Sequence, residues 1–245
     1  MRVVRIYIDH VLAAGDEIAL PAQAATHAVR VLRLRAGDAL TLFNGDGCDY
    51  DAELVLASPR DVRARILDGR RAETEPLLRI TLAQALARGE KMDWIVQKAT
   101  ELGVARIVPL VTERSEVRLD AARVDQRVAH WRAVGIGACE QSGRACLPDI
   151  SAPQSLETWL ASVERSDDAI RLALLPAGEI SPHDLDTLTN GAILAVGPEG
   201  GFGERDIVAL RAAGFHGLKL GPRVLRTETA SIAAIAVLQT LHGDF

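Results

Sequence analysis

The chain has 245 residues, 48% hydrophobic and 25% charged, which is ordinary for one or two globular domains and unlike a disordered or fibrous chain. The net charge of −5 argues against a general nucleic-acid binder, and no run of about 18 apolar residues suits a membrane span. The start, "MRVVRIYIDH", lacks the apolar core and small-residue cleavage site of a signal peptide. Cys48, Cys139 and Cys146, odd in number and without CxxC spacing, predict reduced thiols in a cytoplasmic protein, with neither a disulfide frame nor a zinc site.

The first 72 residues read mostly as strands. "VVRIYI" (3–8) is a strand, and "PAQAATHAVRVLR" (21–33) is a short helix opened by Pro21, whose fixed φ suits a first turn. "ALTLF" (39–43) runs into the hairpin signal "NGDG". "YDAELVLA" (50–57) and "DVRARIL" (61–67) then alternate polar and apolar residues. Short strands with tight turns predict a small β-barrel over 1–72. "DGRRAETEP" (68–76) is polar and ends in proline, which marks the expected linker.

Over 73–245 strands and helices alternate. "LRITLAQAL" (78–86) is a strand, and "EKMDWIVQKATELG" (90–103) is a helix with Met92, Ile95, Val96, Ala99 and Leu102 on one face and Gly103 as its stop. "ARIVPLV" (105–111) is a strand, and 121–143 is a helix whose stripe includes Val124, Val128 and Trp131. "RLALLPAG" (171–178) is a strand and turn, "AILAVG" (192–197) a strand, and "GERDIVALRAAG" (203–214) a helix with acids first and glycine last. "GLKLG" (217–221) is a strand, and 229–243 is a nearly all-apolar helix. The rhythm predicts an α/β domain with a parallel sheet covered on both faces.

In such sheets ligands sit beyond the carboxyl ends of the strands. Three strand ends carry loops with chemistry: "LLPAG" (174–178), "GPEGGFG" (197–203) and "LGPRVLRTE" (220–228). The middle loop is no phosphate loop, because no Gly-Lys-Ser/Thr follows and its glycines, at 197, 200, 201 and 203, do not fit GxGxxG. Glu199 would repel a pyrophosphate at close range. It would tolerate a ligand with hydroxyls to donate or with a positive charge, and S-adenosylmethionine (SAM) has both. A tight structural turn with Glu199 solvated is the alternative. In the third loop, Arg223, Arg226 and Glu228 lie between a strand and a buried helix, where charge must be paired or used. Thr227 or Thr229 is expected to cap that helix.

"EKMDWIVQKATELGV", "TERSEV", "EQSGR", "VGPEGGF" and "LGPRVLRTETA", in that order and spacing, resemble the RsmE-type 16S ribosomal RNA uracil-N3 methyltransferases of the SPOUT superfamily. The similarity covers essentially the whole chain. It implies a PUA-like RNA-binding β-barrel over 1–72. It also implies a parallel-sheet α/β methyltransferase domain over 73–245, with a C-terminal trefoil knot. It further implies SAM as cofactor, a homodimer, and methylation of a decoding-region uridine of 16S rRNA in the assembled small ribosomal subunit. The cofactor-binding residues carried over are Leu175, Pro176, Gly178, Gly197, Pro198, Glu199, Gly200, Gly201, Leu220, Gly221, Val224, Leu225 and Arg226. Backbone groups of Leu220, Val224 and Leu225 are assigned to the adenine edge, and Glu199 to the ribose or the methionine end. A catalytically silent RNA-binding assembly factor on the same fold is the alternative.

The N3–H of uracil is a poor nucleophile, so a base must remove the proton or cations must stabilise the anion. Arg226 and Arg144 are the candidate cations, and Glu228 and Glu140 the candidate bases. Arg2, Arg5, Arg30, Arg33 and Arg35 are the candidate phosphate contacts of the first domain, with Arg30 and Arg33 on one helix face. The histidines, among them His10, His130, His183, His216 and His242, show no ligand spacing, and no metal is expected. Trp94 and Trp131 are expected in the core or in a dimer contact.

Overall fold

The computed structural model describes residues 4–58, 61–116, 121–163 and 168–245. The chain divides into two compact units, residues 1–75 with 136–147, and residues 76–135 with 148–245.

In the first unit, β1 (Val4–Tyr7), β2 (Glu17–Ala19), β3 (Ala39–Phe43), β4 (Cys48–Ala57) and β5 (Val62–Arg71) form a sheet in the order β1-β3-β4-β5-β2. Only the β1–β3 pairing is parallel. Ile6, Leu40, Leu42, Leu54, Ala64 and Ile66 form its core. The linker expected at 68–76 begins inside a strand. Residues 68–71 pair with 48–51 of β4, and Arg70 meets Asp51 at 2.6 Å across the hairpin. The helix expected over 21–33 is also revised. It becomes α1 (Ala22–Thr26), which buries no residue, and a π-helical turn over His27–Val31. Arg33 follows at φ 57°, so Arg30 and Arg33 do not share one helical face.

Residues 140–146 brace this unit. Arg144, 4% exposed, meets Glu75 at 3.0 Å. The other oxygen of Glu75 accepts the Ala145 and Cys146 N–H groups, each at 2.8 Å. Arg5 pairs with Asp49 at 2.7 Å, donates to the Arg144 carbonyl at 3.0 Å and lies 4.9 Å from the centre of the Phe43 ring. Cys139 packs with Phe43 and Ala145, and burial pushes its thiol up to about 12. Only the thiolate is nucleophilic, so Cys139 should stay unmodified by iodoacetamide at pH 8 in the native protein and react after unfolding. Peptide mass mapping of both states checks this, and native labelling at Cys139 would refute it.

The second unit contains β6 (Ile80–Ala85), α2 (Lys91–Glu101), β7 (Arg106–Val111), most of α3 (Val124–Ser142), β8 (Asp149–Ile150), β9 (Gln154–Ser155) and α4 (Leu156–Ser162). It continues with β10 (Ile170–Leu174), β11 (Ala192–Val196), α5 (Glu204–Ala212), β12 (His216–Leu218) and α6 (Thr227–His242). The strands make a parallel sheet in the order β12-β10-β11-β6-β7-β8, with β9 also on β7. Period-2 alternation sends neighbours to opposite faces. Leu82, Leu172 and Leu194 pack with Ile95 and Val96 of α2, Trp131 of α3 and Ile235 of α6. Ala83, Ala173 and Ala195 face Trp159 of α4, Leu210 of α5 and Phe215. Burying each large aliphatic side chain contributes about 1.5–3 kcal/mol. Parallel pairing and both-face coverage match the sequence expectation. Of the two tryptophans expected in the core or in a dimer contact, Trp131 is in the core and Trp94 is exposed.

Candidate functional site

β10, β11 and β12 end side by side, and the loops that follow them enclose a cleft of about 670 Å³, counted to its open mouth. Leu175, Pro176, Gly197, Pro198, Glu199, Gly201, Leu220, Gly221, Val224 and Leu225 line it, together with Leu174, Val196, Leu218, Lys219, Arg223, Thr227 and Ala230, which were not among the expected cofactor residues. Gly178, Gly200 and Arg226 stand beside these residues in the chain without lining the cleft.

Backbone geometry explains why two of these positions are glycine. A Cβ on Gly178 would lie 2.7 Å from the Gly217 carbonyl oxygen, so a side chain there would force the β10 and β12 ends apart. Gly201 has φ 69°, a left-handed conformation, and its N–H closes a turn onto the Pro198 carbonyl at 2.8 Å.

The loop after β11 is held from outside by residues of "TERSEV", whose last residue, Val117, lies outside the described residues. Asp206 is 3% exposed and accepts from Gly203 N at 2.9 Å and Glu113 N at 3.2 Å. Glu113 in turn accepts from Arg205 N at 3.2 Å, and Arg114 donates to the Gly200 carbonyl at 2.9 Å.

Glu199 is also held. Its Oε1 accepts from Arg88 N at 3.1 Å and Lys91 Nζ at 3.0 Å. Burial favours the neutral acid, but the backbone N–H groups of Glu199 and Arg88 and the Lys91 ammonium outweigh it and hold the carboxyl below the usual carboxylate range. Lys91 Nζ is also 3.6 Å from Glu228 Oε2, a buried oxygen that makes no hydrogen bond among the described residues.

Behind the cleft runs a buried polar chain. Thr227 Oγ1 donates to the Gly197 carbonyl at 2.6 Å and accepts from Gln84 Nε2 at 3.1 Å, while Ser231 Oγ donates to Gln84 Oε1. The expected threonine cap is therefore absent. Arg226 holds the N-cap position of α6 without a side-chain bond, and the Thr227 hydroxyl is used up on the glycine loop. Thr227→Val keeps the shape and removes the hydroxyl from the buried Gly197 carbonyl, at about 1–3 kcal/mol, while Gln84 Nε2 keeps its bond to the Ala85 carbonyl. The expected result is a lower Tm together with weaker cofactor binding, read by calorimetry on one preparation. An unchanged affinity would separate Thr227 from the site.

The remaining candidates lie elsewhere. Arg144 is committed to Glu75, and Glu140 Oε1 accepts from Tyr7 N at 3.1 Å. Arg5 is turned inward onto Asp49, so its guanidinium is not offered to a phosphate. Arg30, Arg33 and Arg35 are exposed, and Arg2 lies outside the described residues. No group of three His, Cys, Asp or Glu among the described residues could hold a metal. Glu75, Glu113 and Asp206 went unnoticed in the sequence, because their partners are 69 to 93 residues away.

The cleft combines apolar walls, close backbone at the glycines and one ionised carboxylate. A carboxylate beside the glycines disfavours a pyrophosphate at close range and suits a nucleoside with free ribose hydroxyls or a positive charge.

Comparison with known proteins gives the same reading. Residues 73–239 match the family model of the RNA methyltransferase domain, and residues 20–67 match that of the RNA methyltransferase PUA domain. Ribosomal RNA small subunit methyltransferase E of Buchnera aphidicola is 32% identical over 99% of this chain and 98% of its own length. The crystal structure of a ribosomal RNA small subunit methyltransferase E from Neisseria gonorrhoeae, bound to S-adenosyl methionine, is 35% identical with a TM-score of 0.93 and covers 100% of both chains. A Legionella pneumophila protein solved with bound SAM is 38% identical with a TM-score of 0.94, again over 100% of both chains.

Proposed function

Because this chain belongs to the RNA methyltransferase family that includes ribosomal RNA small subunit methyltransferase E, we propose that it methylates N3 of a decoding-region uridine of 16S rRNA. The substrate is the assembled small ribosomal subunit. The enzyme is a SAM-dependent RNA methyltransferase. The observation that carries this reading is the cleft at the ends of β10, β11 and β12, with a clamped, ionised Glu199 where a phosphate-binding loop would have none.

Bound SAM would supply an activated methyl group, and the residues proposed to hold it are the thirteen carried over above. The chain's own work is alignment, which converts a collision into a positioned displacement, and proton management at N3. Glu228, with its unsatisfied buried oxygen, is the proposed base. Arg226, which makes no ion pair among the described residues, is the proposed cation for the developing uracil anion. Arg144 and Glu140 are proposed to act through the segment they brace.

Other parts of the reading rest on the same premise. We assign the PUA-like barrel to the first unit on its family match and its five-stranded sheet. A trefoil knot is supported by the path of the chain, which leaves β12 at the sheet edge and returns as α6 against β6 and β11 in the middle. A homodimer is supported by the exposed Trp94 and Leu241 on the mutually packed helices α2 and α6. No helix among the described residues is long and apolar enough to cross a membrane, and action on ribosomal subunits implies the cytoplasm.

The test uses SAM with a labelled methyl group and small subunits lacking the modification, followed by nucleoside analysis. Label in 3-methyluridine is the expected result. Label in another nucleoside would remove the N3 assignment. No label despite cofactor binding would move the substrate elsewhere, and the absence of both would favour the silent assembly factor.

A further inference from the structure

We propose that the loop after β12, residues 219–226, is an RNA-backbone contact on the methyltransferase unit itself, with Lys219 and Arg223 seating the phosphates that flank the target nucleotide. This rests on the reading of the chain as an RNA methyltransferase.

Three observations support it. First, the loop "KLGPRVLR" carries three cations and no carboxylate. It does so within residues 73–245, which hold 18 Lys and Arg against 23 Asp and Glu. Second, Lys219, Arg223 and Arg226 are exposed, and none makes an ion pair among the described residues. Several other cations of this unit are matched, Arg211 with Glu179, Arg106 with Asp149, Lys98 with Glu101, and Lys91 with Glu199, although Arg79, Arg127 and Arg205 make no ion pair among the described residues either. Third, the placement is specific, since Lys219 and Arg223 line the cleft into which a methyl acceptor must reach.

An acceptor base can approach such a cleft only when turned out of its stack, and it brings its own backbone to the mouth. Unpaired cations there neutralise the approaching phosphates and release condensed counterions. Proline and glycine in the same loop, Pro222 and Gly221, restrict the backbone at one residue and relax it at the next. Glu199 and Glu228 face Lys91, at 3.0 and 3.6 Å, and neither pairs with a cation of this loop among the described residues.

The experiment measures binding of unmodified small subunits as a function of salt for the wild type, the double variant Lys219→Ala/Arg223→Ala, and Arg223→Lys. SAM affinity is measured alongside. Each lost phosphate contact on a single-stranded segment should reduce the slope of log K against log salt by about 0.7. The double variant should therefore lose about 1.4 in slope, and Arg223→Lys should keep the wild-type slope because it keeps the charge. An unchanged slope in the double variant overturns the proposal. Weaker SAM binding with an unchanged slope also overturns it and assigns the two cations to the cofactor's carboxylate. A wild type that transfers methyl to RNA while the variants keep its slope refutes the loop alone. A wild type that neither binds subunits nor transfers methyl refutes the loop together with the function it rests on.

Discussion

Glu228→Gln should lower single-turnover methylation by about 100- to 10,000-fold, the range of general acid–base contributions, while SAM affinity and Tm stay near wild type. Glutamine has nearly the same shape, so the packing of the first turn of α6 is kept and only the proton acceptor is lost. The geometry favours this residue over other carboxylates of the site. Glu199 is committed to Arg88 N and Lys91, and Glu179 to Arg211, whose guanidinium and the Gly217 N–H hold its carboxyl down at about 2. Glu228 Oε2 is buried, makes no hydrogen bond among the described residues, and has the Lys91 ammonium at 3.6 Å, beyond hydrogen-bonding distance. Rapid-quench measurement with saturating SAM reads the chemical step directly. Wild-type rates in the variant would leave Glu228 as a partner for Lys91 only and would transfer N3 deprotonation to the arginine side of the site.

Glu75→Ala should cost about 3 kcal/mol, the lower end for breaking a buried ion pair by removing one partner. Glu75 receives Arg144 at 3.0 Å and the N–H groups of Ala145 and Cys146 at 2.8 Å, and its loss strands several polar groups at once. At about 2–4 °C per kcal/mol for a protein of this size, Tm should fall by about 6–12 °C. The cleft lies wholly in the other unit, so SAM affinity should hold at temperatures where the variant is folded. Arg144→Ala is the companion experiment. Equal destabilisation in the two variants, with proportionate activity loss, marks the pair as a brace. If Arg144→Ala kept its Tm and lost turnover, Arg144 would be acting on the uracil itself.

What could be read in advance followed from local periodicity. β11 is five buried residues in a row, and α5 opens with Glu204 and Asp206 and closes before Gly214, so both were legible. The π-turn at 27–31 was not, because "PAQAATHAVRVLR" has helical composition throughout and only Ala28 is fully buried. β5 overran its expected end because Arg70 has a cross-strand partner that composition does not show. Most of the cleft lining was foreseen through the three loops. The residues that fix those loops, Asp206, Glu113 and Gln84, were not, since each works through a partner far along the chain. Thr227 was read as a cap because a threonine before an apolar helix usually is one. Its hydroxyl found a better acceptor in Gly197, 30 residues back.

The hydrogen bond between Gln84 and Ser231 spans 147 residues of chain. Contacts of that separation carry a large closure entropy and slow the search for the native state. The floor of the site is thus strongly non-local, whereas the neighbouring pair β6–β7 closes over a short stretch of sequence. Competence to bind cofactor should therefore lag behind recovery of secondary structure when the protein is refolded from denaturant. A population of nearly complete but still inert molecules is the kinetic cost of building a site from segments that meet only at the last step.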